Sequence, residues 1–261
     1  MTGGAMYAII SDIHGNLAAL ETALEHIDGQ GIKRILCLGD VVGYGPRPVE
    51  CLDLVKASCE INTCGNHDVA VLTQGFGFNK YALDAINWTR DQIRPGPLAV
   101  AGNRIRWGYL AGLPVSYTEG RILFVHASPR DPVVEYVLES DCDPAGLGPS
   151  EKLIDIFSRF EWLCFIGHTH QAGVFTGDFR HLRPVQLPEG RYVVPEDGKA
   201  IINVGSIGQP RDGDWRSCYV TVEGNVVQYH RVEYDVERTM AEIRAVDMLD
   251  ERLAARLKMG R

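Results

Sequence analysis

Short apolar, β-prone runs recur along this chain, and many of them end on Asp, Asn or His. Residues 7–10 predict a buried strand that runs into Ser11-Asp12. Leu17, Leu20, Leu24 and Ile27 then share one face of a helix, with Asn16 at the N-cap position and Gly29 and Gly31 as stop signals. A second buried strand, 35–38, ends at Gly39-Asp40; a short helix over roughly 48–57 leads to a third strand near 60–64. This β-α-β-α-β order is the grammar of a mostly parallel sheet with helices outside it. The next stretch changes character. Tyr81, Ile86, Trp88 and Ile93 predict one helix, ended by Pro95-Gly96-Pro97, and a second over 98–110 is weakened by Gly102 and Gly108. We read it as a helical excursion at one edge of the site.

Strand pattern returns at 121–127, expected to pair with 115–118 across Glu119-Gly120. The Pro- and Gly-rich segment 128–149 reads as a long loop. Ser150 caps a helix reaching Phe160, and residues 162–166 form the strand that feeds Gly167-His168-Thr169-His170. Beyond that point the pattern is β only, over 173–176, 184–187, 192–195, 200–204, 216–222 and 226–232. A terminal helix is expected over about 235–258, carrying Met240, Ile243, Val246, Leu249, Leu253 and Leu257, with a basic end free to fray. No linker composition or internal repeat interrupts the chain. The expectation is one domain over 1–261 with its core at about 6–232: an α/β architecture of two packed mixed sheets flanked by helices.

Composition narrows the function classes. With 261 residues, 45% hydrophobic and 23% charged, the chain can bury a sizeable core. Its apolar runs are strand-length, so no transmembrane helix is predicted, and the first six residues lack the features of a signal peptide; the cytosol is the default location. Seven cysteines without a Cys-x-x-Cys pair argue against a disulfide framework or zinc ribbon. Cys64, two residues before Asn66, reads as a core thiol. A net charge of −8 argues against stable nucleic-acid binding. It leaves a phosphorylated substrate open, because two divalent ions would outweigh the charge of Asp12 and Asp40 locally.

The chemistry-bearing pieces are Asp12-Ile13-His14, Gly39-Asp40, Gly65-Asn66-His67-Asp68, His126 and Gly167-His168-Thr169-His170. Each follows a predicted strand, so a sheet could aim all of them at one point. Carboxylate, imidazole and amide donors together suit a catalytically open Mn, Fe, Zn, Co or Ni, whereas a structural zinc site would use cysteines. Seven candidate ligands are too many for a single ion. Asp40, following a glycine, is the natural bridge between two ions, and Asn66 adds an oxygen without adding charge. One Asp-x-His or Gly-Asp alone carries almost no information; five such blocks in order do. His26, His181 and His230 lie outside every block and read as surface or ordinary core residues. Gly43 and Gly45 either shape a turn or let a substrate approach Asp40. Arg211 divides evenly between a phosphate clamp and an ion pair with Asp212 or Asp214. Arg130 reads as solvated or paired.

These five blocks resemble the pattern of the calcineurin-like metallophosphoesterase superfamily: Asp-x-His, Gly-Asp, Gly-Asn-His-Asp/Glu, a lone His, and Gly-His-x-His. Asn203-Val-Gly-Ser-Ile-Gly-Gln-Pro-Arg211 is similar to the glycine-rich loop of its prokaryotic single-domain branch, the small phosphodiesterases and the diadenosine tetraphosphatase-like group. The resemblance spans roughly 6–232. It implies an α-β-β-α sandwich and two metal ions, with Asp12, His14 and His170 on one, Asn66, His126 and His168 on the other, and Asp40 shared. It makes His67 a general acid for the departing alkoxide, with Asp68 orienting its ring. The implied function is hydrolysis of a phosphate ester: a small phosphodiester, a dinucleotide or a monoester. The alternatives are a phosphoprotein phosphatase, a nuclease, and a non-catalytic scaffold of the same fold. The nuclease wants a basic surface that the charge does not supply, and scaffold members can lose His67, which this chain keeps.

Overall fold

The computed structural model describes residues 6–75, 77–96, 101–143 and 146–261. Two six-stranded mixed sheets lie face to face with helices on both outer sides. In the first sheet, β1 (Tyr7–Ile10), β2 (Arg34–Cys37) and β3 (Ile61–Asn62) run parallel. Antiparallel β11 (Ser217–Glu223), β12 (Val226–Val232) and β9 (Arg191–Val193) extend it from β1, giving the order β3-β2-β1-β11-β12-β9. The second sheet has the order β4-β5-β6-β10-β7-β8. There β5 (Ile122–Val125), β6 (Leu163–Ile166) and β10 (Ala200–Asn203) are parallel. β4 (Ser116–Glu119), β7 (Gly173–Thr176) and β8 (His181–Leu182) are antiparallel to their neighbours.

Strand alternation divides the apolar residues among three layers of core. Ile9 and Leu36 face the second sheet, meeting Phe124, Phe165 and Ile202. Ala8, Ile10 and Cys37 point outward, under α1 (Leu17–Gly29), α2 (Pro48–Ser58) and α7 (Val236–Arg244). On the far side, Cys164, Ile166 and Ile201 lie under α6 (Glu151–Ser158). Strands buried on both faces explain why β6 and β10 read as unbroken apolar runs. Helix starts follow their caps: Asn16, Asn79 and Ser150 each accept a hydrogen bond from the backbone N–H three residues on.

The excursion folds as α4 (Lys80–Ile93) and α5 (Ala101–Ala111), packed with α3 (Asn66–Leu72) and α2. Arg94, ahead of Pro95, is extended, which ends α4. The expected start of α5 at Leu98 lies outside the described residues. Residues 184–186 form a 3-10 turn rather than a strand, because Pro184 brings no N–H to a ladder. The short β8 went unread in the sequence. The terminal helix is two pieces, α7 and α8 (Glu251–Ala255), with Asp250 capping the second. The turn between them exposes Met248 while burying Leu249, Leu253 and Leu257. Nor is the basic end splayed: Gly260 donates no side chain and packs on Gly213 and Asp214, where a Cβ would come within 2.7 Å.

Asn16 ties the start of the chain to its end. Its Nδ2 donates to the Gly208 carbonyl (2.9 Å) and to the Tyr234 hydroxyl (3.2 Å). Its Oδ1 accepts from Ala19 N–H and from the Thr239 hydroxyl. Asn16→Ala removes a helix cap and leaves several buried partners unpaired, so we expect a loss of about 2–4 kcal/mol in urea unfolding. A change below about 0.5 kcal/mol, the range of ordinary surface substitutions, would show that this junction is dispensable.

Candidate metal centre

Every sequence-identified ligand leaves the C-terminal end of a parallel strand or the loop just after it, the edge where open α/β sheets place their sites. Asp12 and His14 follow β1, Asp40 follows β2, and Asn66 opens α3 after β3; His126 follows β5, and His168 and His170 follow β6. The glycine-rich loop after β10 moulds the centre from behind. Ile207 and Gly208 N–H donate to the Ser11 and Asp12 carbonyls, and Arg211 N–H donates to the His170 carbonyl. Asn203 Nδ2 donates to the Gly167 carbonyl and the Thr169 hydroxyl, both at 2.8 Å, and so shapes the Gly-His-Thr-His turn.

The backbone is bent hard to reach this geometry. Asp12, His14, Asp40, Tyr44, His168 and His170 all sit at φ between 51° and 64°, the left-handed region that non-glycine residues avoid. At about 1–3 kcal/mol each, such conformations persist only where neighbours over-determine them. The neighbours here are specific: Asp12 N–H donates to Gly39, His14 N–H to Asp40, and His168 N–H to Asp12 Oδ2 at 3.0 Å.

Donor atoms converge in two overlapping groups. Asp12, His14, Asp40 and His170 form one and Asp40, His126 and His168 the other, with the atoms of each group within 4.8 Å of one another. Asn66 Oδ1 joins the second, 3.2 Å from His126 Nε2. All seven are brought together, and Asp40 stands in both groups.

The tautomers decide what such a cluster can hold. Each imidazole turns one nitrogen outward to a backbone carbonyl, which can only accept. His14 Nδ1 donates to Val42, His126 Nδ1 to Leu38, His168 Nε2 to Val134, and His170 Nδ1 to Gln209. In the neutral rings of His14 and His170 the inner nitrogens are therefore bare and face each other, Nε2 to Nε2 at 3.0 Å, while His168 turns its bare Nδ1 to His126 Nε2 at 3.2 Å. Lone pair against lone pair repels unless something positive lies between. Asp12 Oδ1 is also buried without a hydrogen-bond partner. Burial holds His14 and His170 below the usual imidazole range and His168 at about 3. Burial disfavours charge on His126 as well, but Asp40 and Asp12 outweigh it and push that ring up to about 9. The cluster attracts positive charge and has rings prepared to donate to it, so the donor set fits divalent cations.

Asp68 does not orient the His67 ring, as the resemblance implied. Its Oδ2 accepts from Asp40 and Gly65 N–H (2.8 and 3.1 Å) and its Oδ1 from Val41 and Val42 N–H (3.1 and 3.3 Å), so its oxygens are already spent on four amides. Burial and the charge of Asp40 raise its carboxyl to about 7, against the pull of those amides. His67 is buried between Tyr44, Phe78 and His14, with ring centroids 4.4–4.8 Å away and no partner for Nδ1. Burial lowers it to about 4. Gly43, at φ +91°, makes room for this ring, since a Cβ there would lie 2.4 Å from His67 Nδ1. That close approach, rather than a simple turn, is the role of the glycine.

A cleft of about 490 Å³ opens over the cluster. Phe78 and Asn79 from the α3–α4 connection form one wall, and Val133, Val134 and Tyr136 from the 128–149 loop form another. Tyr136 stacks on His168 at 4.1 Å. Tyr44, Phe78 and Tyr136 were missed in the sequence; only the Gly43-Tyr44-Gly45 spacing pointed toward any of them. Arg211 lines the cleft and makes no ion pair among the described residues: its guanidinium donates to Gln209 Oε1, while Asp212 pairs with Arg231 and Asp214 with Arg216. The structure thus removes the ion-pair reading of this residue. Arg130 pairs with Glu135 and Asp155, and Cys64 is a buried thiol. His26 and His230 pack around Tyr219, and His181 against Phe175, all outside the cluster.

Known proteins carry the same arrangement of sequence and fold. The profile of the calcineurin-like phosphoesterase superfamily domain matches residues 6–225. An uncharacterised protein of Methanocaldococcus jannaschii is 36% identical, over 98% of this chain and 99% of its own. A metallophosphoesterase from Sphaerobacter thermophilus superposes with a TM-score of 0.79 at 35% identity, over 98% of this chain and 99% of that one. A hypothetical protein from Pyrococcus horikoshii shares the fold, with a TM-score of 0.73 at 18% identity over 99% of each chain. With the profile covering most of its length and full-length relatives above 30% identity, this chain belongs to the calcineurin-like phosphoesterase superfamily.

Proposed function

We propose that this protein hydrolyses a phosphate ester at a pair of divalent cations. The observation that carries this reading is the convergence of the Asp12, His14, Asp40, His126, His168 and His170 donor atoms in two buried groups that share Asp40, with the bare Nε2 atoms of His14 and His170 only 3.0 Å apart. Asp12, His14 and His170 would hold one ion and Asn66, His126 and His168 the other, with Asp40 between them. Bound there, the ions would supply Lewis acidity and activated water for in-line attack. The chain's own residues do the rest. Asp68, through its four amides, fixes the turn that presents Asp40. His67, at the cleft wall, would deliver a proton to the departing alkoxide once the negative charge of a bound phosphate has raised its ring from about 4. Arg211, without a carboxylate partner among the described residues, orients phosphate oxygens with its guanidinium fork. Manganese and the other borderline first-row ions suit this donor set.

The shared position of Asp40 makes a direct test. Asp40→Ala should lose both ions, or bind them far more weakly, by elemental analysis after dialysis; full occupancy in that variant would overturn the bridging role.

His67→Gln should retain its metal and lose roughly 10²–10⁴-fold in turnover of alkyl esters that need a proton on the leaving group. Nitrophenyl esters, whose leaving group hardly needs one, should lose much less. Equal losses on both classes would remove His67 from proton transfer.

A cleft of about 490 Å³ over the cluster would take a substituent on each side of a phosphorus atom, so diesters should be turned over at least as well as monoesters. With one metal, kcat/KM for bis-p-nitrophenyl phosphate should equal or exceed that for p-nitrophenyl phosphate. A marked preference for the monoester would mean that the walls bearing Phe78 and Tyr136 close the groove.

A further inference from the structure

Three of the four carbonyls that hold the imidazoles belong to the sheet edge itself. Leu38 and Val42 follow β2, Gln209 lies on the loop after β10, and each is at most 2% exposed. The fourth is different. Val134, which accepts from His168 Nε2 at 3.1 Å, is 55% exposed and lies on the 128–149 loop. Two residues on, Tyr136 stacks on the same ring, with centroids 4.1 Å apart and planes tilted by 21°. His168 is therefore oriented from outside the core, at its edge by a carbonyl and on its face by a phenol ring. The other ligand assigned to an ion with His168 and His126, Asn66, is itself only partly buried, whereas Asp12, His14 and His170 are fully so.

The loop carries its own means of staying there. It leaves β5 at His126, and the Ala127 and Ser128 N–H groups donate at once to the Pro132 and Asp131 carbonyls. The buried Ser128 hydroxyl accepts from Arg130 and Asp131 N–H, at 3.1 Å each, and donates to Glu135 Oε2. Glu135 Oε1 pairs with Arg130 Nε at 3.3 Å, and Arg130 reaches Asp155 on α6. Asp131 Oδ1 accepts from Val133 and Val134 N–H, which aims the Val134 carbonyl at the ring. Segment 128–136 thus starts beside His126 and closes over His168. Among the described residues it makes no hydrogen bond to Asp12, His14 or His170. We propose that this segment is a clasp for one ion of the pair, in which Ser128, Glu135 and Tyr136 are positioning residues that set the affinity of the Asn66–His126–His168 position through His168. The position of Asp12, His14 and His170 does not depend on it. A ring held by a half-solvated carbonyl is less well preorganised than one held in the core, so the clasped ion is the weaker of the two. The inference rests on the two-ion reading and adds that the two positions are unequal.

Competition for cobalt tests this without reference to catalysis. The cobalt(II)-loaded protein is equilibrated with increasing nitrilotriacetate, and bound metal and visible absorbance are read at each step. The wild-type protein should release its two ions in two resolved steps. Glu135→Ala and Tyr136→Ala should each weaken the more easily released ion by about tenfold to a hundredfold, the usual cost of losing a partner that orients a ligand, and leave the tighter one within about twofold. Tyr136→Phe keeps the stacked ring and should behave as wild type. If Glu135→Ala does not fold, as judged by its melting curve, Tyr136→Ala carries the test, since that side chain is largely at the surface. Equal weakening of both ions, weakening of neither, release of both in one step by the wild-type protein, or a Phe variant as weak as the Ala variant overturns the clasp alone. A wild-type protein that holds one ion or none overturns the two-ion reading and the clasp with it.

Discussion

Asp68 is a carboxylate buried away from water and surrounded by backbone amides, and the geometry of the centre hangs on it. Its two oxygens gather the N–H groups of Asp40, Val41, Val42 and Gly65, joining the turn after β2 to the start of α3. That grip holds Asp40 at φ 51°, a conformation that would otherwise relax. Gly65 must remain bare for the same reason, since a Cβ there would fall 2.1 Å from Asp40 Oδ1. A residue that resemblance assigns to a histidine ring acts here on the backbone beneath a carboxylate.

The rest of the site repeats this logic from other directions. The loop after β10 braces Asp12 and His170 through amides, and Asn203 braces the turn that carries both His168 and His170. Four carbonyls each fix one ring nitrogen of an imidazole as a donor. Strain and repulsion are concentrated at a single place because two sheets, each with a fully buried parallel centre, are rigid enough to hold them there. The local instability is a requirement of the chemistry that the fold supports.

Much of this was legible in the chain. The strand-end position of each ligand follows from the apolar run before it, and the parallel order of β1, β2 and β3 follows from helices alternating with those runs. The break between α7 and α8 was not legible, because the apolar spacing from Met240 to Leu257 continues smoothly through a turn whose only mark is the capping Asp250. The strand assigned to 184–187 failed where Pro184 should have counted against it. Tyr136 and Phe78 were hidden for a different reason: an aromatic residue in a loop gains its meaning from what lies across a cleft, and sequence spacing carries no such information. The roles of Asp68 and Gly43 were hidden likewise, since each depends on a contact with the backbone or ring of another loop.

The pairing of β1 with β11 has a consequence for how the protein comes into being. Tyr7 lies opposite Val222, and the Asn16 side chain meets Thr239, 223 residues later. The first strand therefore occupies the middle of a sheet whose other half, β11, β12 and β9, is made long after it. Asp12 is made well before His168 and Gly208, whose N–H groups brace its carboxylate and its carbonyl. Contacts so distant along the chain slow folding, because loop closure must precede their reward. The geometry around Asp12 therefore cannot close until a segment 156 residues further along the chain has been made.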